Sequence, residues 1–159
     1  MADKIQSAPA TWASLTSYAA LYGQSVESKT EAALDSGAHV KAAAQGAPHV
    51  DHDELVVTLT IDAGYHLNAN SASIDYLVPT VVTVPSAPDA TITYPAGQIF
   101  KPIFSPDGIS VYEGSVAIRA ELPRGRLASA ASTPLRIEVQ ACTAQICLPP
   151  ATLTTPISQ

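Results

Sequence analysis

Cys142 and Cys147 are the chain's only cysteines, and four residues separate them. Thiols this close in sequence can close into a disulfide, and a disulfide that opens and closes performs thiol–disulfide exchange. The neighbouring residues suit that chemistry. Before the pair, Leu135, Ile137 and Val139 alternate with Arg136, Glu138 and Gln140, the pattern of a strand with one buried face. After it, Pro149-Pro150 breaks any ladder and stiffens the exit. The pair thus stands at the end of a rigid strand. Thr143-Ala144-Gln145-Ile146 is the turn that would bring the two Cα atoms within about 4.4–6.8 Å. Neither cysteine opens a helix, so no helix N-terminus lowers a thiol pKa, and modest reactivity is expected outside a docked complex. A static bridge between adjacent strands is the competing reading, and these residues alone do not choose between the two.

Other constellations carry less. His49-x-x-His52, with Asp51 and Asp53 beside it, offers metal donors but no further ligand at a recognisable spacing. A solvated turn is the preferred reading there, and neither a metal nor another cofactor is expected. The chain has no Gly-x-Ser-x-Gly elbow of a hydrolase and no phosphate-binding glycine loop.

The bulk properties narrow the class. A chain of 159 residues fits one domain plus a tail and can bury a core without staples. The disulfide is therefore not needed to rescue a small core. A net charge of −6 with only eight Lys and Arg argues against nucleic acid and anionic membranes, and points to protein partners. The apolar runs fall short of a membrane span, so direct membrane insertion is not expected. No apolar h-region follows Met1-Ala2-Asp3-Lys4, which fits a mature chain. Thirteen prolines, few charges and an even cysteine count fit an exported β-rich domain.

The elements that must position the cysteines can be read in turn. Trp12, Leu15, Ala19, Tyr22 and Val26 fall at helical spacing, with Thr11 as N-cap and Gly37 as a stop. Residues 1–37 are read as a helical or partly ordered lead-in, and 38–159 as the domain. Strands are expected over Val40–Gln45, Leu55–Ile61, Asp75–Val84 (an edge or bulge, because Pro79 lies inside it), Thr91–Tyr94, Pro134–Ala141 and Ala151–Ile157. Gly46 to Asp53 reads as a turn, and Phe100 to Gly108 as a loop. Ile109–Tyr112 and Ser115–Leu122 are expected to pair as a hairpin around Glu113-Gly114. About seven to nine short strands with frequent turns predict an all-β fold, an antiparallel β-sandwich.

Gly64-Tyr65-His66-Leu67-Asn68-Ala69-Asn70, Tyr76-Leu77-Val78-Pro79-Thr80, Tyr94-Pro95-Ala96-Gly97, Val111-Tyr112-Glu113-Gly114 and Gln140-Ala141-Cys142-x4-Cys147-Leu148-Pro149-Pro150 occur in this order. Together they resemble the N-terminal periplasmic domain family of the thiol:disulfide interchange protein DsbD. The likeness covers roughly 38–158. Some relatives place five residues between the cysteines, and some carry more aromatics where this chain has His66 and Asn68. The resemblance implies an immunoglobulin-like sandwich in the periplasm. It implies a Cys142–Cys147 redox pair that passes reducing equivalents from a membrane-embedded electron donor to thioredoxin-like redox proteins or domains. It also implies an aromatic cap on the Phe100–Gly108 loop, with Phe104 the first choice and Phe100 the reserve, and Tyr65, His66 and Tyr112 as further lining. The alternative is a non-catalytic immunoglobulin-like binding module with a structural disulfide, part of a larger redox or metal-handling protein.

Overall fold

The computed structural model describes residues 35–159. The helix read from Trp12 to Val26 lies outside the described residues. The chain enters through a 3-10 turn, Ser36–His39, whose first residue is fully buried. Strands β1 (Val40–Pro48) and β2 (His52–Ile61) follow as an antiparallel pair. Both reach further than their sequence cores, because the turn between them shrinks to His49–Asp51, closed by the His49 N–H donating to His52 O at 2.8 Å.

Along β2, Leu55, Val57, Leu59 and Ile61 are buried, while Val56, Thr58 and Thr60 are less so, as alternation requires. The next elements are β3 (His66–Asn68), β4 (Val81–Thr83), β5 (Thr91–Thr93), β6 (Gln98–Phe100), β7 (Ile109–Tyr112) and β8 (Ser115–Pro123). A short helix α1 (Leu127–Ala130) precedes β9 (Leu135–Val139), β10 (Ala141–Cys142), β11 (Ala151–Thr155) and β12 (Ile157–Ser158). Sheet orders are β12-β1-β2-β8-β5, β10-β3-β7-β6 and β11-β9-β4. One core joins them: Leu55, Leu59, Ile118 and Leu122 of the first sheet pack in one cluster with Leu67, Leu135, Ile137 and Val139 of the other two. This is the all-β, immunoglobulin-like sandwich. Pairing is antiparallel except between β12 and β1, which run parallel. Among the described residues no helix is long and apolar enough to cross a membrane.

Three local expectations are corrected. Ile109–Tyr112 and Ser115–Leu122 do not form a hairpin: β7 pairs with β3 and β6, whereas β8 pairs with β2 and β5. Glu113-Gly114 instead carries the chain from one sheet to another. Gly114 takes a positive φ of 67°, and its carbonyl accepts the Ile61 N–H at 2.7 Å, which fastens the crossover to the end of β2. The strand read over Asp75–Val84 shrinks to Val81–Thr83, because side chains take the backbone groups before it. Asn68 Nδ2 donates to Val78 O at 3.0 Å, Asn70 Nδ2 to Thr80 O at 3.0 Å, and Thr80 Oγ1 to Asn68 O at 2.8 Å. The last strand splits at Pro156 into β11 and β12, which belong to different sheets. The connection before β9 contains the short helix α1.

Asp53, one of the two aspartates beside the histidine pair, faces inward. It is 3% exposed, and Oδ2 accepts the Leu127 N–H at 2.8 Å, satisfying the first turn of α1. Replacing it leaves that buried donor unpaired. Asp53→Ala is expected to lose about 1–3 kcal/mol in urea unfolding while leaving the disulfide intact; an unchanged midpoint would remove this role.

Candidate functional site

The dithiol segment continues β9 after a one-residue break at Gln140. β9 pairs with β11 and β4, and beyond the break β10 pairs instead with β3, in the register Ala141↔Leu67 and Cys142↔His66. The chain then turns back so that Cys147 stands opposite Cys142 as an isolated antiparallel bridge. Thr143 N–H donates to Ile146 O at 2.7 Å, and Leu148 N–H to Ala141 O at 2.9 Å. These bonds flank the cysteines, which makes them a non-hydrogen-bonded pair, the closer of the two antiparallel spacings. Their Cα atoms are 3.9 Å apart, closer than the range expected from sequence, and their sulfurs are bonded. The tip is organised by the Thr143 hydroxyl, which accepts the N–H groups of Gln145 and Ile146, each at 3.2 Å.

Two further side chains hold this hairpin. Ser36 Oγ donates to Pro149 O at 2.6 Å and accepts the Ala141 N–H at 2.9 Å. One hydroxyl therefore spans both arms, next to Cys142 on one side and beyond Cys147 on the other. Gln140 does the same from the break: Oε1 accepts from Asn68 Nδ2 and Val78 N–H, each at 3.1 Å, and Nε2 donates to Leu148 O at 3.4 Å. Neither Ser36 nor Gln140 was singled out from sequence. Gln140 lay within the motif, but nothing about Ser36, read with the lead-in, distinguished it from other serines.

The two cysteines differ in exposure. Cys142 is 1% exposed, whereas Cys147 is exposed. Beside Cys147, Ile146 is 58% exposed. An open cleft of about 500 Å³ adjoins the hairpin, lined by Tyr65, His66, Phe100, Glu113 and Ala144 among others.

Strand parity sorts the aromatic candidates. Leu67 and Tyr112 face each other across β3 and β7 and both belong to the main core, so His66 and Cys142 project from the opposite side of that sheet. Tyr112 is accordingly a core residue, 3% exposed, whose hydroxyl donates to Pro95 O at 2.8 Å and accepts the Asn70 N–H at 3.4 Å. Phe100, at the end of β6, is the aromatic that meets His66, with ring centroids 4.5 Å apart. Phe104 lies on the following loop and is 45% exposed. Tyr65 stacks on His39 at 3.9 Å, and His39 Nδ1 lies 3.2 Å from Asp62 Oδ2. His66 itself is 3% exposed, and its Nε2 has no hydrogen-bond partner among the described residues. Burial holds its pKa below the ordinary histidine value, with the negative charge of Glu113 acting in the other direction.

Comparison with known proteins fits this geometry. The family described as "Thiol:disulfide interchange protein DsbD, N-terminal" matches residues 35–159. The chain belongs to that family. The match opens at Asp35, one residue before the serine that clamps the hairpin. Among solved structures, the N-terminal periplasmic domain of ScsB from Proteus mirabilis is similar, with a TM-score of 0.51 and 16% identity. That likeness covers 73% of this chain and 45% of the other, so the chain spans less than half of that structure, and the similarity supports the fold. No curated protein matches the chain. Family and bonded cysteine pair together make this a thiol–disulfide interchange domain.

Two outcomes test the site's construction. Ser36→Ala leaves the buried Ala141 N–H unpaired and is expected to cost about 1–3 kcal/mol. It should also speed amide exchange at Ala141 and Leu148; exchange unchanged at both would show that the hydroxyl does not hold the hairpin. For His66 the linkage sign is fixed by the lowered pKa. An unfolded histidine takes its proton near pH 6.5, the folded one only below that. In that window the unfolded state binds more protons, so stability falls as pH falls. The thermal midpoint of the oxidised domain should drop from pH 7 to pH 5, and His66→Phe should remove part of the drop. An identical profile in His66→Phe would assign the loss to other groups.

Proposed function

We propose that this domain relays reducing equivalents in the periplasm, taking them from a membrane-embedded donor and giving them to thioredoxin-like redox proteins. The observation that carries this reading is the unequal exposure of the two bonded cysteines. Exchange requires in-line approach to one sulfur while the other leaves. Cys147 is open to an incoming thiolate and Cys142 is not.

The donor's thiolate attacks Cys147 Sγ. A new sulfur–sulfur bond forms, the Cys142–Cys147 bond breaks, and its electron pair leaves on Cys142 Sγ. The donor's second thiolate then attacks the donor sulfur of the mixed disulfide and releases Cys147. The domain's disulfide becomes two thiols, and the donor's two thiols become a disulfide. Discharge to an acceptor is the reverse exchange: Cys147 attacks the acceptor disulfide, and Cys142 resolves the mixed bond.

A thiolate left in a buried site is costly, so Cys142 takes up a proton as it leaves and loses one as it resolves. His66 is its cross-strand neighbour on the same face, at a spacing of about 4.5–5.5 Å between Cβ atoms for such pairs. A neutral imidazole with an unengaged nitrogen suits that proton transfer. Phe100 packs against the imidazole and shields this side, while Phe104, on the exposed loop beyond it, is the residue that a docking partner displaces.

Single substitutions distinguish the sulfurs. Cys142→Ser should accumulate a mixed disulfide with a thioredoxin-like partner through Cys147, and Cys147→Ser should trap none. Trapping through Cys142 would reverse the assignment. Equilibration of the wild-type pair with glutathione and dithiothreitol should give a potential between about −180 and −270 mV. A value below about −300 mV, with no thiol reachable before unfolding, would make the bridge a structural staple.

A further inference from the structure

At the far end of β2 from the dithiol cleft, the β1–β2 turn gathers His49, His52 and Glu54. We propose that these three residues bind one late first-row divalent cation, with Zn2+ the representative ion. The sequence offered two histidines and two aspartates there. The structure replaces that set. Asp53 is turned inward onto the Leu127 N–H, and Glu54, next in line, stands on the same face as His52 because residues two apart in a strand share a side.

One donor atom from each of His49, His52 and Glu54 lies within 4.8 Å of the others. His49 Nε2 is 4.0 Å from Glu54 Oε1, and the two imidazoles are nearly parallel, with centroids 4.9 Å apart. Around a tetrahedral ion with bonds near 2.0–2.1 Å, donors stand roughly 3.3 Å apart. The approach still needed is on the order of an ångström. It is within reach of side-chain rotation, since His49 is exposed and the other two are half-buried.

A second observation concerns orientation. Asp51 Oδ1 lies 2.7 Å from His52 Nδ1. In metal sites a ligating histidine characteristically gives its other ring nitrogen to a carboxylate, which fixes the tautomer and aims the free nitrogen at the ion. Asp51 occupies that outer position and leaves Nε2 of His52 as the donor. The surrounding charge also favours a cation. Glu121 lies directly opposite Glu54 across β2 and β8. Arg119 opposes it, with Nη1 2.9 Å from Glu54 Oε1. That Arg119 side chain is 61% exposed, and exposed pairs of this kind are weak enough for a cation to displace.

Two imidazoles and a carboxylate are the donor set of a borderline cation rather than of Ca2+ or Mg2+. Three protein ligands leave a fourth position for water or for a donor from another molecule. Eight residues of extended β2 separate His52 from Ile61, which lines the cleft, a span of roughly 30 Å. The cation therefore does not touch the sulfurs.

The test is calorimetric titration of the full chain, kept oxidised so that no thiol competes, with zinc chloride in a non-chelating buffer. One ion per chain is expected. His49→Ala and His52→Ala should each weaken binding at least 10-fold, and Asp51→Asn roughly 10-fold through lost orientation. His39→Ala should leave it unchanged. Ring-proton resonances of His49 and His52, and not of His66, should shift as zinc is added. Absence of saturable binding, or binding that survives loss of both His49 and His52, would overturn the site. Neither result bears on the thiol relay, which is read from the disulfide separately.

Discussion

One hydroxyl decides whether the dithiol hairpin belongs to the sandwich or merely hangs from it. Ser36 Oγ receives a backbone N–H from the outgoing arm and donates to a backbone carbonyl on the returning arm. Without it, the segment from Ala141 to Pro149 would rest on a two-residue strand, its own turn and the Gln140 contact to Leu148. Ser36 is fully buried, so the bonds it makes are not contested by water; without its hydroxyl the Ala141 N–H would be unsatisfied, while Pro149 O would keep the Ser36 backbone N–H at 3.4 Å. The geometry of the sulfurs is thus set from a point more than a hundred residues earlier in the chain. Gln140 supplies the second anchor, tying the break between β9 and β10 to Asn68, Val78 and Leu148.

The break has a use of its own. A single residue between β9 and β10 lets one continuous run of chain leave one sheet and join another. β9 contributes Leu135, Ile137 and Val139 to the core, and β10 then presents Cys142 on the side away from it while Ala141 stays inside. The crossover at Glu113-Gly114 does the corresponding work for the cleft, whose wall it forms. The same core that stabilises the sandwich therefore fixes both the redox pair and the surface beside it.

What could be read from sequence divides along physical lines. Alternation over Leu55–Ile61 and Leu135–Val139 was visible because burial on one face imposes a period of two, and the structure keeps it. The cysteine pair was visible because two thiols, a strand and a double proline coincide. The false hairpin at Glu113-Gly114 arose because a tight turn looks the same whether its strands pair or part; partner choice is set by distant segments. The shortened strand near Val81 was hidden because Asn68, Asn70 and Thr80 take over backbone partners through side chains. Between Phe100 and Phe104, composition gives no preference; Phe100 is placed against His66 by the pairing of β6 with β7. Ser36 had no local signature, since its importance lies wholly in a tertiary contact.

The five-residue separation of the bonded cysteines bears on how the two forms of the domain differ. Closing so small a loop removes little entropy from the unfolded chain, because loop-closure entropy grows with the length enclosed. Oxidised and reduced domains should then be of similar stability, with the hairpin held in both by Ser36 and Gln140. The folded scaffold acts as a neutral carrier, and the electron load is held by two sulfurs, of which only that of Cys147 belongs to an exposed residue. A partner that must tell loaded from empty meets the change at Cys147 and its immediate surroundings.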